Sequence, residues 1–334
     1  MKYGTLPNIA LPVSRLVFGT DWLRPKKMFL FPDRRRRASM FSLLSRAWES
    51  GINCFDCARV YYSEAIVGEW MRENNNRKSL VLISKGGHPN LLTRQSRLTP
   101  KEISADVHSS LRSLKTDTLD VFLLHYDDPE ISVGPLMERL NEHVRLGDIR
   151  TLGVSNWTVE RIEQANQYCS ERGLEPFRVA SPHLSLFEWN TPPWPNAVSI
   201  SGRAGAVGRQ WFKSHGMPVI CWSVLGRGYL QLQDNPNGFF NLKRKHLERV
   251  YDSQVNRARR ELIQRFSTSH GVSKTAVAVA GVLGQDLDAF AVIGPKTPEQ
   301  LEQYLQSLSL VLSEKEFHQL LEPLNCFPGS ATGE

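Results

Sequence analysis

Eight short apolar runs, spaced along 334 residues and mostly separated by helix-like segments, predict an α/β protein built as a closed (β/α)8 TIM barrel. Three observations carry this reading. The runs are brief and rich in β-branched residues, as strands buried on both faces must be. Helix-like segments fill most gaps between them, which makes neighbouring strands parallel. The first run leads into Gly19-Thr20-Asp21-Trp22, without the glycine pattern that an open dinucleotide-binding sheet places there.

Taken in order, residues 1–16 hold two short β-like pieces around the turn signal Pro7-Asn8, read as an N-terminal β-hairpin that plugs the barrel. The eight strand runs fall at Leu16–Gly19, Asn53–Cys57, Leu80–Lys85, Leu119–His125, Thr151–Asn156, Arg178–His183, Pro218–Ser223 and Phe290–Gly294. The intervening helices are expected at Arg37–Glu49 and Ser63–Arg72. A third opens on the capping box Thr99-Pro100-Lys101-Glu102, with proline at the first helical position. Val133–Leu146 is closed by Gly147, Thr158–Glu171 by Gly173, and a sixth helix precedes Gly216. Ser253–Ser267 and Ser273–Leu283 follow, and Ser313–Leu321 reads as an extra C-terminal helix packed outside. Gly202, Gly205 and Gly208 have the wrong spacing for a phosphate loop and read as a small-residue packing surface. Trp22–Asp33 and residues 226–250 exceed the barrel's minimum and are read as loops on the C-terminal side of strands. No linker or low-complexity stretch divides the chain, so residues 1–334 are taken as one domain.

Composition narrows the function class. A formal charge of +7 is mild for this length, and much of it sits in Arg34-Arg35-Arg36-Arg37 at a helix entrance. One such run without interleaved aromatics is a weak nucleic-acid signal. No apolar run is long enough to span a bilayer and no secretory leader is evident, which points to a cytoplasmic protein. The five cysteines are scattered and odd in number, as reduced thiols are. Cys54 and Cys57 are spaced as a CxxC, but residues three apart on a strand face opposite ways, so neither a metal site nor a redox pair is expected.

The chemistry gathers where strands end. The second strand ends on Asp56, with Tyr61 just beyond it; the third ends on Lys85, the fourth on His125 and the fifth on Ser155-Asn156. In a parallel barrel these positions share one mouth. The set suits carbonyl reduction. Lys85, held by Asp56, is expected to lower the pKa of Tyr61 so that the phenol can protonate an alkoxide, while His125 hydrogen-bonds the substrate oxygen.

These same residues carry a family resemblance. The stretch from Gly51 through Asp56 to Tyr61, the segments Ile83-Ser84-Lys85-Gly86-Gly87 and Leu123-Leu124-His125, the run Gly147–Trp157 and the end segment Val292–Leu301 together resemble the aldo-keto reductase superfamily over nearly the whole chain. The resemblance implies extended NADP(H) bound without a Rossmann domain, NAD(H) being the lesser choice. It implies Ser155 and Asn156 on the nicotinamide carboxamide, with Ser181 where the family usually has glutamine. Trp222, beside Ser223, takes the place of the aromatic that stacks on the nicotinamide. Leu225, Gly226, Arg227 and Gly228 would follow the pyrophosphate. Gly294, Lys296, Thr297, Gln300, Gln303 and Tyr304 would meet the adenosine end, Gln300 standing where an arginine is common and Tyr304 where an asparagine is usual. Tyr61 is the implied proton donor and its neighbour Tyr62 the second choice.

A small-molecule carbonyl substrate is expected against Asp21, Trp22, Trp157 and Trp189, with Phe187 and Trp194 as further aromatic candidates and His183 and Arg227 as polar ones. Two other readings are carried: a cofactor-binding regulatory or scaffold subunit of the same fold, and an aldolase using Lys85 as a Schiff base.

Overall fold

A computed structural model of the chain describes residues 1–23, 34–232 and 241–323. Strands β1 (Tyr3–Gly4) and β2 (Val13–Ser14) pair antiparallel as the expected hairpin. Eight parallel strands then close a barrel: β3 (Leu16–Gly19), β4 (Cys54–Asp56), β5 (Val81–Gly86), β6 (Leu119–Leu124), β7 (Ile149–Ser155), β8 (Val179–Ser181), β9 (Val219–Cys221) and β10 (Ala289–Ile293), with β10 closing on β3. Each falls on one of the eight runs, trimmed or shifted at its ends. The hairpin reaches the N-terminal ends of the strands, where Asn8 Nδ2 donates to the Arg150 carbonyl and Thr151 Oγ1 donates to that of Pro7 at 2.5 Å.

Strand parity decides what reaches the mouth. Val17, Cys54, Ile83, Leu123, Val179, Ile220 and Phe290 form one apolar cluster inside the barrel. Side chains two residues apart share a face. The inner face therefore continues to Gly19, Asp56, Lys85, His125, Ser181 and Trp222, and Gly153 leads likewise to Ser155. The alternate residues, Phe18, Phe55, Leu82, Phe122 and Val154 among them, face outward into a second cluster shared with the helices. Cys54 belongs to the inner cluster and Cys57 to the outer one, so the CxxC is split between faces. Cys54, Cys57, Cys169 and Cys221 are free and buried; Cys326 lies outside the described residues.

The expected helices appear in order, joined by two that the sequence reading did not give, α7 and α10: α1 (Arg34–Glu49), α2 (Glu64–Asn74), α3 (Pro100–Leu114), α4 (Val133–Leu146), α5 (Val159–Arg172), α6 (Ala206–Ser214), α7 (Asn241–Tyr251), α8 (Gln254–His270), α9 (Lys274–Leu283), α10 (Pro298–Leu305) and α11 (Glu314–Leu321). The arginine run opens α1, where Arg37 pairs with Glu69 and Glu73 of α2. Gly205 has no room for a β-carbon, which would meet the Ile200 backbone at 2.1 Å, as a packing surface requires.

One expectation needs correction. Residues 226–250 are not a single loop: a 3-10 turn spans Gly226–Gln231 and α7 begins at Asn241. Its basic residues mask an apolar face on which Leu247, Val250 and Tyr251 pack with Tyr229, Leu262, Ile263 and Leu320 in a satellite core. The stretches 24–33 and 233–240, with Met28–Phe31 and Asn235–Phe240, lie outside the described residues. Among the described residues no helix is long and apolar enough to cross a membrane.

The capping box forms in full: Thr99 Oγ1 accepts from Glu102 N at 3.3 Å and Glu102 Oε2 accepts from Thr99 N at 3.3 Å. Thr99→Ala is expected to cost about 1 kcal/mol of stability, read as a lower urea midpoint at unchanged slope; no change in midpoint would contradict this account of α3.

Candidate active site

After β4, Cys57 and the extended Ala58 lead into a single 3-10 turn, Arg59–Tyr61, closed by Tyr62 in the left-handed region at φ +58°. The turn folds Tyr61 back over the mouth and leaves Tyr62 exposed. Thr20 fixes the end of β4, its amide and its hydroxyl both donating to the Asp56 carbonyl at 3.0 and 2.9 Å. Lys85 and Asp56 are almost fully buried and joined as an ion pair; the ammonium also donates to the Cys57 carbonyl at 3.0 Å. It stands 5.0 Å from the centre of the Tyr61 ring. The His125 ring meets Tyr61 edge-on at 5.7 Å between centroids, and its buried Nδ1 has no hydrogen-bond partner.

The surrounding loops are tied down by charge-assisted bonds. Asp106 on α3 accepts from the Gly87 amide at 2.9 Å and from both terminal nitrogens of Arg97, fixing the turn after Lys85. Arg161 on α5 grips Asp127 with two nitrogens and reaches the Asp128 and Ile131 carbonyls, fixing the turn after His125.

Burial sets the titration. It pushes the Asp56 carboxyl up, against the pull of Lys85. It holds His125 well below the usual imidazole range, helped by Lys85 and His88, so this ring is neutral at physiological pH. Tyr61 departs from expectation: burial first, then the charge of Asp56, raises its pKa well above that of a free phenol. The expected lowering by Lys85 fails because Asp56 already neutralises the ammonium, leaving desolvation as the larger effect.

These groups line a cavity of about 660 Å3. Of the implied cofactor residues, Ser155, Asn156, Ser181, Trp222, Ser223, Leu225, Arg227 and Gly228 line it, as do Gly294, Lys296, Gln300, Gln303 and Tyr304. Gly226, Arg227 and Gly228 are three successive residues with positive φ, a path that two glycines make affordable. Gly226 itself is buried beside Phe187, off the cavity wall. Thr297 instead caps α10, accepting from Gln300 N at 3.3 Å. Ser155 donates to the Ser181 carbonyl, Ser181 to that of Ile220, and Asn156 to that of His125, so the residues share one hydrogen-bonded frame.

Asp21, Trp22 and Trp194 line the cavity; Trp157 and Trp189 do not. Trp157 packs outward on Phe177 with its indole N–H on the Tyr126 carbonyl. Trp189 stacks on the buried His183, 4.5 Å between centroids, and donates to Tyr251 Oη. His183, pushed down to about 3 by burial, rests against Trp222 from outside the cavity. Trp194 stacks on Trp222 at 5.3 Å, with the Arg227 guanidinium 4.7 Å from its ring centre.

Among the lining residues that sequence reading missed are Val60, His88, Tyr126, Gln231, Lys243 and Thr275. Tyr126 directly follows His125, and His88 stands three residues after Lys85, a signal that was there to use. Lys243 and Thr275 arrive from helices, where no local pattern marks them. Burial and the like charges of Lys296 and Arg227 lower the pKa of Lys243, while Asp21 opposes them, so three cations crowd one part of the cavity.

Comparison with known proteins gives this geometry its context. The profile of the Aldo/keto reductase family matches residues 15–323. A norsolorinic acid reductase of Aspergillus flavus is 28% identical over 298 residues, covering 85% of this chain and 71% of that protein. An aryl-alcohol dehydrogenase of Pestalotiopsis microspora is 28% identical over 297 residues, 84% of this chain and 71% of its own. Among solved structures, a thermostable aldo-keto reductase crystallised with the inhibitor epalrestat aligns at a TM-score of 0.70, 21% identical over 96% of this chain and 99% of that one. The family match spans all eight barrel strands and every candidate site residue, and the chain belongs to the aldo/keto reductase family.

Proposed function

We propose that the protein is an NADP(H)-dependent oxidoreductase that reversibly reduces an aldehyde, ketone or sugar-like carbonyl to the alcohol, with NAD(H) as the weaker cofactor. The observation that carries this is the convergence, in one cavity, of Tyr61, a buried Lys85–Asp56 ion pair and a neutral His125 with an unpartnered nitrogen.

The residues present fit a nicotinamide dinucleotide. Ser155, Asn156 and Ser181 spend their donors within the frame, and their remaining acceptor capacity suits the N–H groups of a carboxamide. Trp222 offers a ring, and Arg227, Lys243 and Lys296 offer positive charge for phosphates. When bound there, the reduced nicotinamide supplies the hydride. The chain's own residues do the rest. His125 donates a hydrogen bond to the carbonyl oxygen and orients it. Tyr61 keeps its proton at neutral pH and yields it to the forming alkoxide, a much stronger base than phenolate. Lys85 then faces the phenolate, and its pairing with Asp56 holds it in place. An ammonium bound to a buried carboxylate is a poor nucleophile, which disfavours the imine-forming alternative. The Trp22, Tyr126 and Trp194 rings favour a flat, unsaturated carbonyl, in keeping with the names of the two fungal relatives.

Tyr61→Phe is expected to lower kcat for carbonyl reduction by about 10²–10⁴-fold while NADPH affinity, measured by fluorescence titration, stays within about two-fold; wild-type rates in this variant would remove Tyr61 as the acid. Because the Tyr61 pKa is raised, reduction is expected to stay level from neutral pH to beyond about pH 10, the ordinary phenol value, and to fall only above it. A kcat/KM profile falling between pH 7 and 9 would assign the proton to another group. Lys243→Ala is expected to weaken NADPH binding about ten-fold, the loss of one charge-assisted contact, with NADH affected far less. Equal weakening of both cofactors would contradict a role at the 2′-phosphate.

A further inference from the structure

At the opposite end of the barrel, three metal-ligating side chains meet outside the cavity described above. They are His108 on α3, His143 in the last turn of α4, and Asp148 in the turn that leads into β7. Their ligand atoms all lie within 4.8 Å of one another. His143 is buried, with Nδ1 2.7 Å from Asp148 Oδ2 and Nε2 2.8 Å from Ser104 Oγ. His108 is half exposed, its Nε2 4.0 Å from the same Asp148 oxygen. The two imidazole rings cross at 79° with centroids 5.3 Å apart.

We propose that His108, His143 and Asp148 bind a divalent transition-metal ion of the zinc type. Two imidazoles and one carboxylate are a donor set suited to such an ion, with a fourth position left for water. Ligand bonds near 2.0–2.1 Å in a tetrahedron separate donor atoms by about 3.3 Å. His143 and Asp148 must therefore part slightly, and exposed His108 must swing inward by a side-chain rotation. The proton balance is simple. The Nδ1 proton that now lies between His143 and Asp148 gives way to the metal, and the ring becomes the Nε2–H tautomer. The Ser104 hydroxyl reverses and accepts from that N–H, the outer hydrogen bond that fixes a metal-bound imidazole. The C-terminus of α4 adds a favourable field for a cation. Since β7 runs seven residues from this turn to Ser155, the ion would sit about 20 Å from the mouth. Its effect would be to tie α3, α4 and β7 together, not to take part in carbonyl chemistry.

The test is isothermal titration of the full chain with zinc chloride, in a Cys326→Ser background so that this thiol cannot compete, paired with thermal melting. The expected result is one strong equivalent that raises the melting temperature. His108→Gln, at an exposed position that leaves the fold intact, and Asp148→Asn, which keeps an acceptor for His143, should each weaken that equivalent at least about ten-fold and abolish the thermal shift. No uptake, or uptake and thermal shift changed by less than that in both variants, would show that the cluster is only a hydrogen-bonded tie between helices.

Discussion

The buried ion pair between Lys85 and Asp56 is the interaction on which the rest of the site depends. Neither charge could be held in the barrel mouth alone, because an unpaired buried charge is prohibitively costly. Together they are tolerable, and the Cys57 carbonyl takes a further ammonium hydrogen. The pair has a direct consequence for its neighbours. Being nearly neutral overall, it does not make Tyr61 acidic before reaction, and burial keeps the phenol protonated. The same ammonium helps to keep His125 uncharged. The resting site is thus a neutral phenol, a neutral imidazole and a compensated ion pair, and in the proposed reaction negative charge appears there only during reduction. Electrostatic stabilisation acts where charge develops, and such a site waits for that charge without needing to reorganise.

The barrel makes this arrangement out of strand parity. Apolar residues fill the interior up to Cys54, Ile83 and Leu123, and the next inward position along each of those runs is a candidate site residue. Two ends of the barrel are then built differently. The N-terminal end is closed by the hairpin, while the C-terminal end is opened by the turns that Asp106 and Arg161 secure. A satellite core around Tyr229, Tyr251 and Leu262 supports the left-handed path through Gly226–Gly228 from behind.

Much of this was legible in the sequence because it rests on local pattern. The eight runs, the Thr99 capping box, the terminating glycines of α4 and α5 and the strand-end placement of Asp56, Lys85 and His125 all follow from period and turn chemistry. Where the reading went astray, the deciding physics was not local. The direction of the Tyr61 shift depends on the balance of burial against a charge already neutralised by a third residue. Trp157 and Trp189 sit near the site in sequence, but tertiary packing turns them into the barrel wall and against His183. Helix α7 was hidden because its lysines and arginines dominate the composition while only a narrow stripe is buried. Lys243 reaches the cavity from that same helix, so nothing near it in sequence announces its place in the lining.

The central claim is that Tyr61, Lys85, Asp56 and His125 serve hydride-driven carbonyl reduction. It is tested most directly by mixing the protein with an aryl aldehyde and NADPH deuterated at the nicotinamide C4 position that transfers, then analysing the product by mass spectrometry. The account predicts an alcohol carrying one deuterium on its former carbonyl carbon, formed in step with cofactor oxidation. Failure to bind the cofactor, or the absence of labelled alcohol across a panel of aldehydes and ketones despite binding, would contradict it.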